Sequence, residues 1–220
     1  VFDRFLRTRD TIAEIMKNFW KGLKWVAIGI FATFVLLVIV RMPYVYQKQK
    51  TDEQVIKIHA TKLTMDDVMG KNLPPDPGLE SDKTVQGIDA NKNGIRDDVE
   101  LAIFKEYPNS AKTRAVLLQY ALALQMEVVQ PIVNKETVTE IVREQSRAGS
   151  CVGDGLVPRK SPESARSYPD VEKIFTYINF VKNKQLNTDV RKKAREGFVE
   201  KTGSYSESEN EVCDIDIHAL

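Results

Sequence analysis

The segment DANKNGIRDDVE, Asp89 to Glu100, carries oxygen-bearing side chains at alternate positions. Asp89, Asn91 and Asn93 open it, Gly94 follows, and Asp97 and Glu100 complete it. A hard cation such as calcium (Ca2+) takes about six to eight oxygen ligands at flexible angles. Alternate residues of a tightly wound loop point inward together, so this spacing gathers several such oxygens at once. Asp89, Asn91 and Asn93 are expected to offer side-chain oxygens. Gly94 allows the sharp turn, Ile95 offers its main-chain carbonyl, Asp97 acts directly or through water, and Glu100 closes the site with both oxygens. Average residue usage gives this pattern by chance on the order of once in two thousand chains of this length. A purely structural reading also exists. Asn93-Gly94 makes a good turn, and Asp97 with Glu100 makes a helix capping box. It leaves the alternation of Asp89, Asn91 and Asn93 unexplained.

The same twelve residues resemble the EF-hand loop and the related DxDxDG loops of dockerins and thrombospondin-type repeats. The resemblance covers only Asp89 to Glu100 and a helix starting near Asp98. It departs from a true EF-hand in two ways. The preceding segment is rich in Pro and Gly, and Arg96 stands where paired loops carry an apolar residue. The resemblance therefore implies one lone calcium loop rather than a paired sensor. Two asparagines among the ligands, with Lys92 and Arg96 nearby, point to weak affinity, roughly 10⁻⁴ to 10⁻³ M. The stretch GIDANKNGIRDDVE is also similar to a segment recurring in bacterial membrane-anchored proteins, which brings no activity with it.

Other reactive side chains are sparse. Cys151 and Cys213 are the two cysteines, without the C-x-x-C spacing of a redox or zinc pair, and His59 and His218 are the two histidines. In an oxidising compartment the cysteines are expected to form one disulfide; the alternative is two unrelated buried thiols. No H-E-x-x-H, G-x-S-x-G or glycine-rich phosphate loop occurs. An enzyme is thus disfavoured, although a membrane-anchored hydrolase of the cell envelope using carboxylates stays open as the alternative. A calcium sensor relaying across a membrane is poorly supported by one weak loop. The expectation is a membrane-tethered, extracytoplasmic binding or scaffold protein with a structural calcium site. Its partners would be membrane lipid and a protein of the envelope. Net charge is +1, and nothing resembles the basic surface of a nucleic-acid binder.

What positions these residues begins with WVAIGIFATFVLLVIV, Trp25 to Val40, bounded by Lys24 and Arg41. Sixteen helical residues rise about 24 Å, and the flanking cations can snorkel to extend the span. Trp20 and Trp25 at one end, with Tyr44 and Tyr46 at the other, suit the two interfaces. Pro43 is expected to stop the helix. The rivals are a cleaved signal peptide, for which RMPYVYQKQK offers no cleavage site, and a buried core helix, which should show a polar stripe. Residues 1–24 carry six cations against three acids, +3, so the rest of the chain is −2. This bias favours a cytoplasmic N-terminus. Phe2, Phe5, Leu6, Ile12, Met16, Phe19 and Trp20 recur at helical spacing and fit either a helix lying on the inner leaflet or a plain lead-in to the anchor.

Beyond the anchor, VIKIHATKL reads as a strand or a stalk, and Thr64 with Asp67 caps a short helical turn. Lys71 to Lys83 reads as a linker or wrapping loop. Ser110 is expected to cap a central buried helix with the core Ala115 to Val129; a second membrane span is disfavoured by Gln119, Gln125 and Glu127. Asn134 starts the next helix, and Gly149 to Ser167 separates two helix pairs. Pro169 suits the start of a helix carrying Val171, Ile174, Phe175, Ile178 and Val181, and Asn187 caps the last. The fold class is all-α: a small extracytoplasmic helical domain behind a single N-terminal transmembrane helix. The division is a basic amphipathic segment over 1–24, the transmembrane helix over 25–42, stalk and linker over 43–88, and the helical domain with its loop over 89–220.

Overall fold

The computed structural model describes the backbone of residues 2–161, 164–206, 208 and 211–220, and within these the side chains from Glu14 onward. The apolar pattern from Phe2 to Ile12 lies outside the described side chains. Seven α-helices and a short 3-10 helix over Gly78–Lys83 are present, and no strand occurs among the described residues.

Helix α1 runs over Phe2–Ala60. It is the one helix among the described residues long and apolar enough to cross a membrane, with a mean hydropathy of 2.5 in its most apolar stretch. Every residue from Trp25 to Val40 is exposed. The one hydroxyl there, on Thr33, donates to the Gly29 carbonyl at 2.9 Å and is thus paired within the helix. The expected stop at Pro43 is not observed: proline lies inside the helix. It removes a single main-chain bond, and the intact turns on both sides carry the helix past it. Of the segment read as a strand or stalk, Val55 to Ala60 is the end of this same helix, and Thr61 to Leu63 follow it without regular structure.

Two compact units divide the chain, Val1–Lys50 and Thr51–Leu220. The second therefore begins well before residue 89, because the last turns of α1 pack within it. Ile58 is buried in its core. Gln54 donates to Gln130 at 2.8 Å, Asn134 donates to Thr51 at 2.8 Å, and His59 meets Glu140 at 3.0 Å.

In this unit, α4 (Ala111–Val129) is the central helix, buried on nearly all sides. Around it pack α2 (Met65–Met69), α3 (Asp97–Glu106), α5 (Lys135–Leu156), α6 (Tyr168–Gln185) and α7 (Asp189–Val199). The polar residues that interrupt the apolar run of α4 fasten non-helical segments. Gln125 donates to the Gln86 carbonyl at 2.7 Å, and Gln119 donates to the Val212 carbonyl at 3.0 Å while accepting from Asp214 N at 2.9 Å. Each thereby ties a main-chain group of another segment to the central helix.

The starts of these helices follow local chemistry. Thr64 with Asp67, Asn134 with Thr137 and Ser167 with Asp170 form reciprocal capping boxes, and Ser110 caps α4. Pro169 falls in the first turn of α6. Two expectations fail. The cap of α7 is Thr188 rather than Asn187, whose side chain instead joins Asp82 and Arg191. Gly149 does not open a loop, since α5 continues to Leu156. A Cβ on Gly155 would come within 2.9 Å of Val116, so glycine there serves close helix packing.

Lys71 to Lys83 wraps the domain. Arg191 is buried and donates to the carbonyls of Ser81, Thr84 and Val85, pinning the segment that leads into the acidic loop. The C-terminal segment is held by the Cys151–Cys213 disulfide, by Arg147, and by the Leu63 N–H donating to Asp214 at 3.0 Å.

Glu127 of α4 is buried beside Arg195 of α7, 3.2 Å away. Burial pushes its carboxyl up to about 7, and Arg195 and Lys182 only partly oppose this. The unfolded group titrates near 4.5, so the folded state holds the proton more tightly. Its contribution is full below that pH and is lost as pH rises toward 7. Relative to Glu127→Gln, the wild-type protein is expected to lose up to about 1.4 kcal/mol of stability per pH unit across this window. Urea unfolding at stepped pH measures it, and parallel curves for the two proteins would contradict it.

Candidate metal centre

The acidic loop is closed by its own ends: the Asp97 N–H donates to the Ile88 carbonyl at 2.9 Å. Inside, each early side chain folds over the residues that follow it. Asp89 Oδ1 accepts from Asn93 N at 3.2 Å and Oδ2 from Gly94 N at 2.9 Å. Asn91 Oδ1 also accepts from Asn93 N, at 3.3 Å, and Asn93 Oδ1 accepts from Ile95 N at 2.9 Å. Gly94 sits at φ +85°, where a Cβ would be strained, as its place in the turn requires. The side chain of Ile95 is fully buried in the core and ties the middle of the loop to the domain.

Glu100 enters from α3 and is 1% exposed. Its Oε2 accepts from Asn91 Nδ2 at 3.1 Å, and Asn91 Nδ2 also donates to the Asn72 carbonyl at 3.0 Å. The fold thus brings Asp89, Asn91, Asn93 and Glu100 into one hydrogen-bonded group. Asp97 is turned differently. Both its oxygens accept from Ala90 N, at 3.0 and 3.1 Å, bracing the loop's first turn. It forms no capping bond: α3 is preceded by Arg96, and no side chain caps it. The capping-box explanation for Asp97 and Glu100 therefore fails.

The electrostatics of the group are those of carboxylates short of cations. Burial pushes Glu100 up to about 7; the Asn91 amide partly offsets this, and the charges of Asp67 and Asp97 add to it. Burial also raises Asp97, with Asp89 and Asp98 contributing. The nearest guanidinium does not neutralise them. Arg96 is fully buried and donates to Asp98 at 2.8 Å and to the Gln185 carbonyl at 3.0 Å. The position that is apolar in paired loops here fastens this lone loop to the end of α6.

Among the described residues, no three His, Cys, Asp or Glu side chains form a group able to hold a metal by themselves. A hard cation here would need the asparagine oxygens and a main-chain carbonyl as well. The donor chemistry fits that demand, since every polar group of the set carries an oxygen and none is sulfur or imidazole. Asn93 Nδ2 is buried without a hydrogen-bond partner. A half-turn of that amide would place its oxygen there, at the expense of the bond from Ile95 N. The roles of Asn72, Asp67 and Arg96 were absent from the motif. All three come from contacts remote in sequence or from burial, for which the spacing carries no signal.

No protein-family model, curated protein or solved structure matches the chain. The functional reading rests on its own residues.

Proposed function

We propose that this is a single-pass membrane protein whose helical domain lies outside the cytoplasm as a binding or scaffold module. In this reading the Asp89–Glu100 loop holds one calcium ion as a structural staple. The observation that carries it is Glu100, a carboxylate with 1% exposure, closing a loop already folded around Asp89, Asn91 and Asn93, with no cationic side chain among the described residues acting on it. Asp89, Asn91, Asn93, Glu100 and the Ile95 carbonyl would hold the ion, with Asp97 bracing the turn. Calcium would supply the positive charge that offsets the burial of these carboxylates.

Placement outside the cytoplasm is supported by two independent features. The Cys151–Cys213 disulfide belongs to oxidising compartments. The excess of Lys and Arg before Trp25 favours a cytoplasmic N-terminus. A weak calcium site also suits a compartment where calcium is abundant. The α1 span would be covered by lipid, and the partner of the domain would be a protein of the envelope.

Calorimetry on the full chain in lipid nanodiscs tests the reading. Heat of binding is expected at millimolar calcium. At about 10 mM calcium the domain should gain roughly 1.4–2.7 kcal/mol, seen as a higher Tm. Asp89→Ala and the milder Asp89→Asn should remove the calcium-dependent gain while still unfolding cooperatively in chelator. Absence of binding heat, or an equal gain in both variants, would overturn it.

A further inference from the structure

A small cavity of about 10 Å³ is walled by Val85, Leu124, Val128 and Leu186. Four polar side chains interrupt that wall: Glu127 from α4, Gln185 from the end of α6, and Arg191 and Arg195 from α7. Glu127 and Gln185 are buried. Glu127 Oε2 accepts from Arg195 Nε at 3.2 Å, and Gln185 Nε2 donates to Gln125 Oε1. Their remaining oxygens, Glu127 Oε1 and Gln185 Oε1, are buried with no hydrogen-bond partner among the described residues.

The orientation of the Gln185 amide is fixed by its neighbours. Gln125 Nε2 is committed to the Gln86 carbonyl at 2.7 Å, so Gln125 Oε1 needs a donor, and Gln185 Nε2 is that donor. Turning Gln185 over would set two oxygens against each other. Arg191 also lines the cavity but directs its guanidinium to Ser81, Thr84 and Val85 carbonyls and to Asp82 and Asn187. With Glu127 ionised, above about pH 7, two acceptors lining one small space call for a group with two donors. The volume admits one water-sized species. A cation would be repelled by Arg191 and Arg195, and an anion by the two oxygens.

We infer that this cavity is a binding site for one buried water molecule, which donates a hydrogen to Glu127 Oε1 and the other to Gln185 Oε1. The water completes a polar chain from Arg195 through Glu127, Gln185 and Gln125 to the Gln86 carbonyl. That chain joins α7, α4 and α6 to the segment entering the acidic loop, whether or not the loop holds calcium.

A high-resolution structure of the full chain tests this. One ordered water is expected within hydrogen-bond distance of both oxygens, and in Gln185→Met that density should disappear. An empty cavity, a water touching only one oxygen, a direct Glu127–Gln185 hydrogen bond, or density that persists in Gln185→Met would each overturn the inference. The wild-type structure decides alone if the variant does not fold.

Discussion

Replacing both Cys151 and Cys213 by alanine is expected to destabilise the domain by about 4 kcal/mol. The bridge joins residues 62 apart, so it removes much of the freedom of the unfolded chain. The effect acts largely on the unfolded state, because the folded C-terminal segment has other attachments. Asp214 accepts from Leu63 N, and Gln119 donates to the Val212 carbonyl. The double variant should therefore keep its helical content at low temperature and unfold about 8–16 °C earlier. Cys151 is fully buried, so alanine is preferred to serine, which would bury a new hydroxyl. Thermal unfolding of the full chain with and without reductant measures the effect. A shift below about 1 kcal/mol would mean that the unfolded chain is already constrained in this region.

The elements that sequence makes legible are those decided by near neighbours. Ser110 and Asn134 cap helices because each side chain reaches an N–H three residues on. The α4 run is apolar almost all round, and it is the central helix. The pairing of Cys151 with Cys213 was legible as chemistry, given an oxidising compartment. What sequence does not carry is decided by distant partners. Asn187 and Thr188 are both competent caps; Arg191 and Asp82 draw Asn187 away, and Thr188 takes the role. Gly153 and Gly155 look like a break, yet Arg166 and Val116 pack where their side chains would be. In the acidic loop the pattern foretold which side chains gather. It could not foretell that Asp97 braces Ala90 or that Arg96 anchors the end of α6. Both depend on burial created by the rest of the domain.

Arg147 is expected to be the most sensitive side chain of the C-terminal attachment. It is buried between two buried acids, donating to Glu144 at 2.9 Å and to Asp214 at 2.7 Å. It also donates to the Glu211 carbonyl at 3.0 Å. Burial alone would ease its proton off, but Asp214 and Glu144 more than reverse this and raise its pKa. Arg147→Met keeps the apolar stem and deletes the charge, leaving two carboxylates in the interior without a counter-ion. Breaking such a pair costs about 3–5 kcal/mol, more than the intact pair contributes relative to an apolar replacement. Arg147→Met is therefore expected to lower stability by that amount. The triple variant Arg147→Met, Glu144→Gln, Asp214→Asn should recover a substantial part of it, because no charge is then stranded. Chemical denaturation of both variants at neutral pH measures the difference. Equal loss in the two would show that the guanidinium acts through its main-chain bond to Glu211 rather than through charge. In the disulfide-free background the loss should exceed the single-variant value, since Arg147 then becomes a principal attachment of the 211–214 segment.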